Sequence, residues 1–230
     1  MEVIDRGETV SMMEPLLISG TSKHRGPLND SVLELTAASA RFRGSLPKHV
    51  ERSLANLVRA MNCYYSNLIE GHDTHPVDIE RALNENYSTN PEKRDLQLEA
   101  KAHIAVQQWI DKGHLRRQET STKGLCALHQ RFCEALPETL LWSYEPKTGE
   151  RIQIEPGTFR RRDVIVGGHV AISPGAVPRF MKRFEQVYGG LGTSEALIAA
   201  AAAHHRLVWI HPFLDGNGRV ARLMSCLLYT

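Results

Sequence analysis

The stretch from His211 to Arg222, His-Pro-Phe-Leu-Asp-Gly-Asn-Gly-Arg-Val-Ala-Arg, constrains this chain more than any other part of it. On one side, an apolar run through Ile210 reads as a long helix capped by Thr193 or Ser194, with Glu195 in the favourable first turn. Pro212 cannot continue that helix. On the other side a last helix begins near Gly218. Gly216-Asn217-Gly218 therefore lies in a tight turn between two helices, where glycine takes positive φ cheaply and lets backbone approach a ligand. The N–H groups that open the second helix have no intrahelical partner. Such a turn is a concave anion site backed by a helix dipole.

The rest of the chain is read as helical as well. From Pro47, apolar residues recur at Leu54, Leu57, Val58, Met61, Tyr65 and Leu68, a helical spacing that runs to Glu70-Gly71. A short helix follows around Val77 to Asn84. Asn90-Pro91 pairs a capping residue with a first-turn proline, and Leu98, Ala102, Ala105, Val106 and Trp109 then line one face up to Lys112-Gly113. Another helix is expected from Thr122 to Leu136. Between Trp142 and Pro174 the pattern changes to alternation, and two runs joined by Gly167-Gly168 read as a β-hairpin. Helices resume near Val177, and Gly189 to Thr193 serves as linker and cap. The expected fold is mostly α with one hairpin; no βαβ alternation points to a doubly wound nucleotide fold.

The residue types around the turn carry a chemistry. Arg219 and Arg222 are three apart and share a helix face, and two guanidinium forks suit several phosphates better than one carboxylate. Asp215 offers a hard oxygen ligand for Mg²⁺. His211 is the one group here that takes a proton near neutral pH. Base, metal ligand and phosphate cradle are what nucleotidyl transfer requires. Taken singly, each residue also fits a plain helix–loop–helix corner with solvated arginines and a core histidine; the joint pattern favours the site.

His211-x-Phe213-x-Asp215-Gly216-Asn217-Gly218-Arg219-x-x-Arg222 resembles the signature of the Fic family at every specified position. Gly157-Thr158-Phe159-Arg160 and the run through Val166, Gly167 and Gly168 are similar to its flap hairpin. Ser66-x-x-x-Glu70-Gly71 is similar to its inhibitory motif, with Ser66 and Glu70 on one helical face. The likeness covers roughly residues 50 to 230. It implies a Fic-type helical bundle with one β-hairpin flap, acting as a protein adenylyltransferase that moves AMP from ATP to a Ser, Thr or Tyr hydroxyl of a target protein or of itself. His211 would be the general base, Asp215 would hold Mg²⁺, and Phe213 would anchor the loop. Gly216, Asn217 and Gly218 would grip the phosphates, with Arg219 and Arg222 at their β/γ end. Glu70 would pair with Arg222 as a brake, with Ser66 hydrogen-bonding near Asn217. The implied division is a loosely packed lead-in over 1–45, an inhibitory helix region over 46–92 and a catalytic core over 93–230, cut short at its C-terminus relative to the family.

Other readings stay open on the residues alone. The same site could transfer another phosphate group or remove AMP. His72-Asp73, with His204 and His205, could belong to a metal phosphohydrolase, or the chain could be a nucleotide-binding module without turnover. Arg160-Arg161-Arg162 reads as edge-strand charge or as a patch steering an acidic target. A net charge of +2 over 230 residues argues against nucleic acid or membrane as the main partner. Four cysteines without a CxxC pair, and an N-terminus that matches no signal peptide, point to a reducing cytosol. The helical faces suit pairing into a homodimer.

Overall fold

The structure, a computed structural model, describes residues 3–145 and 148–229. Among them are eight α-helices: α1 (Arg25–Ser45), α2 (Lys48–Ile69), α3 (Pro76–Leu83), α4 (Pro91–Asp111), α5 (Thr122–Cys133), α6 (Val177–Tyr188), α7 (Thr193–Ile210) and α8 (Asn217–Tyr229). Four short strands lie between α5 and α6. β1 (Trp142–Tyr144) pairs antiparallel with β2 (Arg151–Gln153), and β3 (Ile165–Val166) with β4 (His169–Val170). The expected mostly-α fold with a flap hairpin is present. The β1–β2 pair is an addition: with three residues per strand and only partial burial, it left little alternation to read.

Side-chain caps start α4 and α5. The Asn90 side chain accepts from the Lys93 N–H at 3.1 Å, with Pro91 at the first helical position. Ser121 accepts from the Gly124 N–H at 2.9 Å and starts α5. α7 differs from the expectation. Its cap is Gly192, in extended backbone and with no side chain to offer, so neither Thr193 nor Ser194 caps it. Glu195 in its first turn instead pairs with Arg25 of α1.

The main core forms around α7 and α8. Ala199, Ala203, Leu207 and Ile210 of α7 meet Val220, Leu223 and Met224 of α8, and the alanines let the two backbones approach closely. Phe180 and Phe184 of α6, Leu128 and Phe132 of α5, and Val106 of α4 close the cluster. A second, smaller cluster joins Cys63 of α2 to Ile79 of α3 and to Ala100 and Ile104 of α4.

The helix expected from the apolar spacing after Pro47 is α2, but four residues of that stripe, Leu57, Val58, Tyr65 and Leu68, are exposed, while Cys63, Ser66 and Asn67 are buried. Helical spacing identifies the helix but not which side meets the protein. The lead-in is not loose throughout. Met13 and Leu16 sit in the main core, and the Tyr188 hydroxyl donates to the Leu16 carbonyl at 2.7 Å. Asp5 and Glu8 pair with Arg179, and Arg6 with Asp163. None of the residues of α1 is buried. A Met13→Ala substitution is expected to cost about 2–5 kcal/mol in urea unfolding. A cost near zero would mean that the arm is not part of the core.

Candidate active site

The turn between α7 and α8 is shaped by its own residues. α7 ends at His211, whose φ of 53° and ψ of 61° are left-handed. For a non-glycine residue that costs roughly 1–3 kcal/mol, so the surroundings must hold it. Phe213 below it is fully buried. The Asn217 side chain bonds the Phe213 backbone twice, its Oδ1 accepting from the N–H and its Nδ2 donating to the carbonyl, both at 2.9 Å. Gly216 takes φ of 78°, where a side chain would be strained. α8 then opens, its first intrahelical bond running from the Val220 N–H to the Gly216 carbonyl. The amides of Asn217, Gly218 and Arg219 precede that bond and form the anion-attracting end of the helix.

His129 of α5 fastens the same turn. Its ring stacks on Phe213 with centroids 4.0 Å apart and planes within 2°. Nδ1 accepts from the Gly157 N–H at 2.8 Å, so Nε2 carries the proton and donates to the Asp215 carbonyl at 3.2 Å. Burial pushes this ring down to about 4, which keeps it neutral. Neither sequence spacing nor any motif marked His129, the one histidine of α5.

His211, Leu214, Asp215 and Gly218 line a cleft of about 900 Å³. The flap residues Ile165, Val166 and Val170 face it, and the N-terminal arm adds Ile4 and Met12. His211 Nδ1 donates to the Val208 carbonyl at 3.1 Å, which leaves Nε2 as the unprotonated nitrogen. Burial lowers its pKa from the ordinary value, so the ring is neutral at pH 7. Asp215 is exposed at the rim. The flap turn follows from Gly167, with φ of 57°, and Gly168, and the His169 ring fixes it by a 2.8 Å contact with the Trp209 carbonyl.

The two arginines part company. Arg222 Nε donates to Ser66 Oγ at 2.9 Å, and its guanidinium pairs with Glu70. The Glu70 carboxylate lies over the first turn of α8: a Cβ on Gly218 would sit 2.7 Å from Glu70 Oε1. Arg219 turns inward, pairs with buried Glu99 and lies 5.4 Å from the Phe132 ring centroid.

Residues 119–229 match the Fic/DOC family. The chain carries a Fic domain. It is 31% identical over 163 residues to the protein adenylyltransferase Fic of Drosophila erecta, a match covering 70% of this chain and 30% of that protein. The corresponding protein of Drosophila persimilis is 32% identical over the same length, with 29% of it covered. The chain thus spans under a third of these curated relatives. Among solved structures, residues 134–508 of Fic-1 from C. elegans superpose with a TM-score of 0.66 at 18% identity, covering 88% of this chain and 56% of that one. A Fic family protein from Desulfovibrio desulfuricans G20 gives 0.59 at 18%, covering 86% and 57%.

Measured against the Fic signature, the structure brings His211, Asp215, Gly216, Gly218, Arg222, Ser66 and Glu70 together, with Val166 of the flap opposite. Three expectations change. Ser66 bonds Arg222, not the neighbourhood of Asn217, because it lies on the α2 face turned to α8. The Asn217 side chain is spent on the Phe213 backbone, so only its amide remains for an anion. Arg160, Arg161 and Arg162 do not form one patch: Arg160 is buried, Arg161 lines the cleft and Arg162 pairs with Glu150 at 2.7 Å. The phosphohydrolase reading loses its dipeptide, as His72 Nδ1 lies 2.6 Å from Glu99 while exposed Asp73 faces His75. Among the described residues no three His, Cys, Asp or Glu side chains gather to hold a metal, and no helix is long and apolar enough to cross a membrane.

His103 and His129 are both pushed down to about 4 by burial, against an ordinary value of about 6.5. Between those values the unfolded chain binds protons that the native chain excludes, so stability falls as pH falls through that window. His72, raised through its bond to Glu99, opposes this as a single half-buried group. The thermal midpoint should therefore drop steadily from pH ~6.5 to ~4. A level midpoint across that range would show that the rings are not held neutral.

Proposed function

We propose that this Fic domain is a protein adenylyltransferase, transferring AMP from ATP to a hydroxyl side chain of a target protein or of itself, and that Glu70 holds it in check. The observation that carries this reading is the Glu70 carboxylate, which rests on the N-terminus of α8 and pairs with Arg222 in the cleft that also holds His211. A carboxylate there occupies a place that suits a phosphate on the same physical grounds.

In the reaction, His211 Nε2 takes the proton of the attacking hydroxyl. The hydroxyl oxygen bonds to the α-phosphorus, the bond from that phosphorus to the β-bridging oxygen breaks, and pyrophosphate leaves. The amides of Asn217, Gly218 and Arg219 hold phosphate oxygens, and Arg222, once released from Glu70, takes the far end. Arg219 contributes its helix position and backbone while its side chain stays with Glu99. Asp215 suits Mg²⁺, which keeps most of its own shell and needs only one or two protein carboxylates beside phosphate oxygens. When bound, the ion offsets charge on the phosphates. Catalysis is then mainly positioning and charge stabilisation. The flap presents the acceptor segment along β3 by strand pairing.

On this reading residues 46–92 are the regulatory segment, 93–230 the catalytic part and 1–45 an accessory arm. The outward stripe of Leu57, Val58, Tyr65 and Leu68 is the face through which two copies would pair, and the reaction belongs in the cytoplasm.

The full chain carrying Glu70→Gly, given Mg²⁺ and α-labelled ATP, should take up label roughly tenfold faster or more, because a charge-assisted pair competing with phosphate is gone. His211→Ala in that background should remove the label. Label arriving from the γ-phosphate would favour phosphorylation instead. Unchanged uptake in an active, folded Glu70→Gly protein would count against the brake.

The base itself predicts a pH dependence. Because burial lowers the His211 pKa, the acid limb of the labelling rate for Glu70→Gly should lie below about pH 6.5. A limb above that value would mean that His211 is not the proton acceptor.

A further inference from the structure

We propose that Arg160 is a positioning residue that fixes the catalytic histidine and the flap in one frame, so that an acceptor hydroxyl carried by the flap meets His211 Nε2. The inference rests on the transferase reading and deepens it.

Arg160 is nearly fully buried, yet no carboxylate bonds it. A buried cation without a bonded counter-ion is costly unless its donors are met. Carbonyls meet them instead. Nε donates to the His211 carbonyl at 2.7 Å, and Nη2 reaches the carbonyls of Ile172 and, at 3.4 Å, Ile210. Nη1 donates to the Arg162 carbonyl at 2.9 Å, and the Arg160 backbone N–H donates to the Pro212 carbonyl at 2.9 Å. One residue thus holds three consecutive carbonyls, 210 to 212, at the negative end of α7.

The pattern of partners goes beyond helix capping. Arg162 precedes the β3–β4 hairpin and Ile172 follows it, so both roots of the flap are bonded to the same guanidinium that holds His211. His211 is the left-handed residue whose conformation aims its ring into the cleft. A guanidinium supplies five donors in a fixed fork, and a lysine in its place would satisfy only some of these carbonyls. Burial lowers the pKa of Arg160 to about 10, so it keeps its charge at neutral pH. That charge also acts on His211. The groups bearing on the imidazole are Arg160 and His169, which lower its pKa, and Asp215 with the Val208 carbonyl, which raise it.

The test uses the full chain with Glu70→Gly as parent, α-labelled ATP and Mg²⁺. In Arg160→Met the labelling rate constant should fall by on the order of a hundredfold, as expected for misplaced reacting groups. The half-saturating ATP concentration should stay within about threefold of the parent, since no phosphate contact is touched. The acid limb of the pH–rate profile should move to higher pH, because a cation beside His211 is gone while Asp215 remains. Arg160→Lys should restore the limb and part of the rate. Thermal unfolding of each variant gives the folded fraction. A folded fraction that reacts at the parental rate with an unmoved acid limb would overturn the inference and leave Arg160 a scaffold. A parent that takes no label would sink the transferase reading itself.

Discussion

Two helix ends of opposite polarity meet at one short turn, and both must be satisfied. α7 brings unpaired carbonyls and α8 brings unpaired amides. A helix end left buried without partners is costly, so each end needs a group of complementary charge. Arg160 supplies a cation to the first and Glu70 an anion to the second. The chain between them, pinned through Phe213, Asn217 and His129, has little freedom to relax. His211 can therefore stay in a conformation that its own backbone disfavours. The two complements differ in kind. Arg160 is buried in the fold, whereas Glu70 lies at the end of a helix attached by other means, so one end is permanently closed and the other can exchange its partner.

That attachment is modest. The apolar contact of α2 runs through Cys63, flanked by Ala60 and Tyr64, against Ala100, Ile104 and Ile79, and Arg59 adds an ion pair to Asp111 of α4. The main core does not include it. Small side chains bury little apolar area, so this contact stabilises far less than the phenylalanine-rich packing under α7. Part of the hold on α2 is the polar contact of Ser66 and Glu70 with Arg222 itself. An anion that takes Arg222 thereby also weakens the seating of the helix. On the proposed reading, substrate binding and release of Glu70 are coupled through one guanidinium.

What could be read from the sequence was what neighbouring residues decide among themselves. Asn90-Pro91 starts a helix by bonds within one turn, and Gly167-Gly168 closes a hairpin in the same way. The His211 to Arg222 turn is likewise local, which is why its shape and most of its candidate residues were legible. The remainder depends on distant partners. Arg6 meets Asp163 and Tyr188 meets Leu16 across most of the chain, so the arm gave no periodic signal of being packed. The α2 stripe showed a helix, but the side that docks is chosen by Ala100, Ile104 and Arg222. Arg160 stood in a run of three arginines, and only the tertiary fold distinguishes the one that is buried. His129 is tied to Asp215 by a ring nitrogen and a carbonyl that no spacing rule connects.

The arginine pair shows why the division matters. Three residues apart on one helix, Arg219 and Arg222 look equivalent, and each is met by a carboxylate from another helix. Their surroundings are not equivalent. Arg219 and Glu99 are both almost completely buried, and Glu99 also holds His72. Removing one partner from such a pair leaves an uncompensated charge in the interior, at a cost of roughly 3–5 kcal/mol. Arg222 and Glu70 are partly exposed, so water can take over from either as they separate. Of the two guanidinium groups, only the outer one can change partners without opening the core. On the proposed reading, a phosphate arriving at α8 contends with Glu70 alone, and the strength of the brake is set by one solvent-accessible ion pair together with the Ser66 bond beside it.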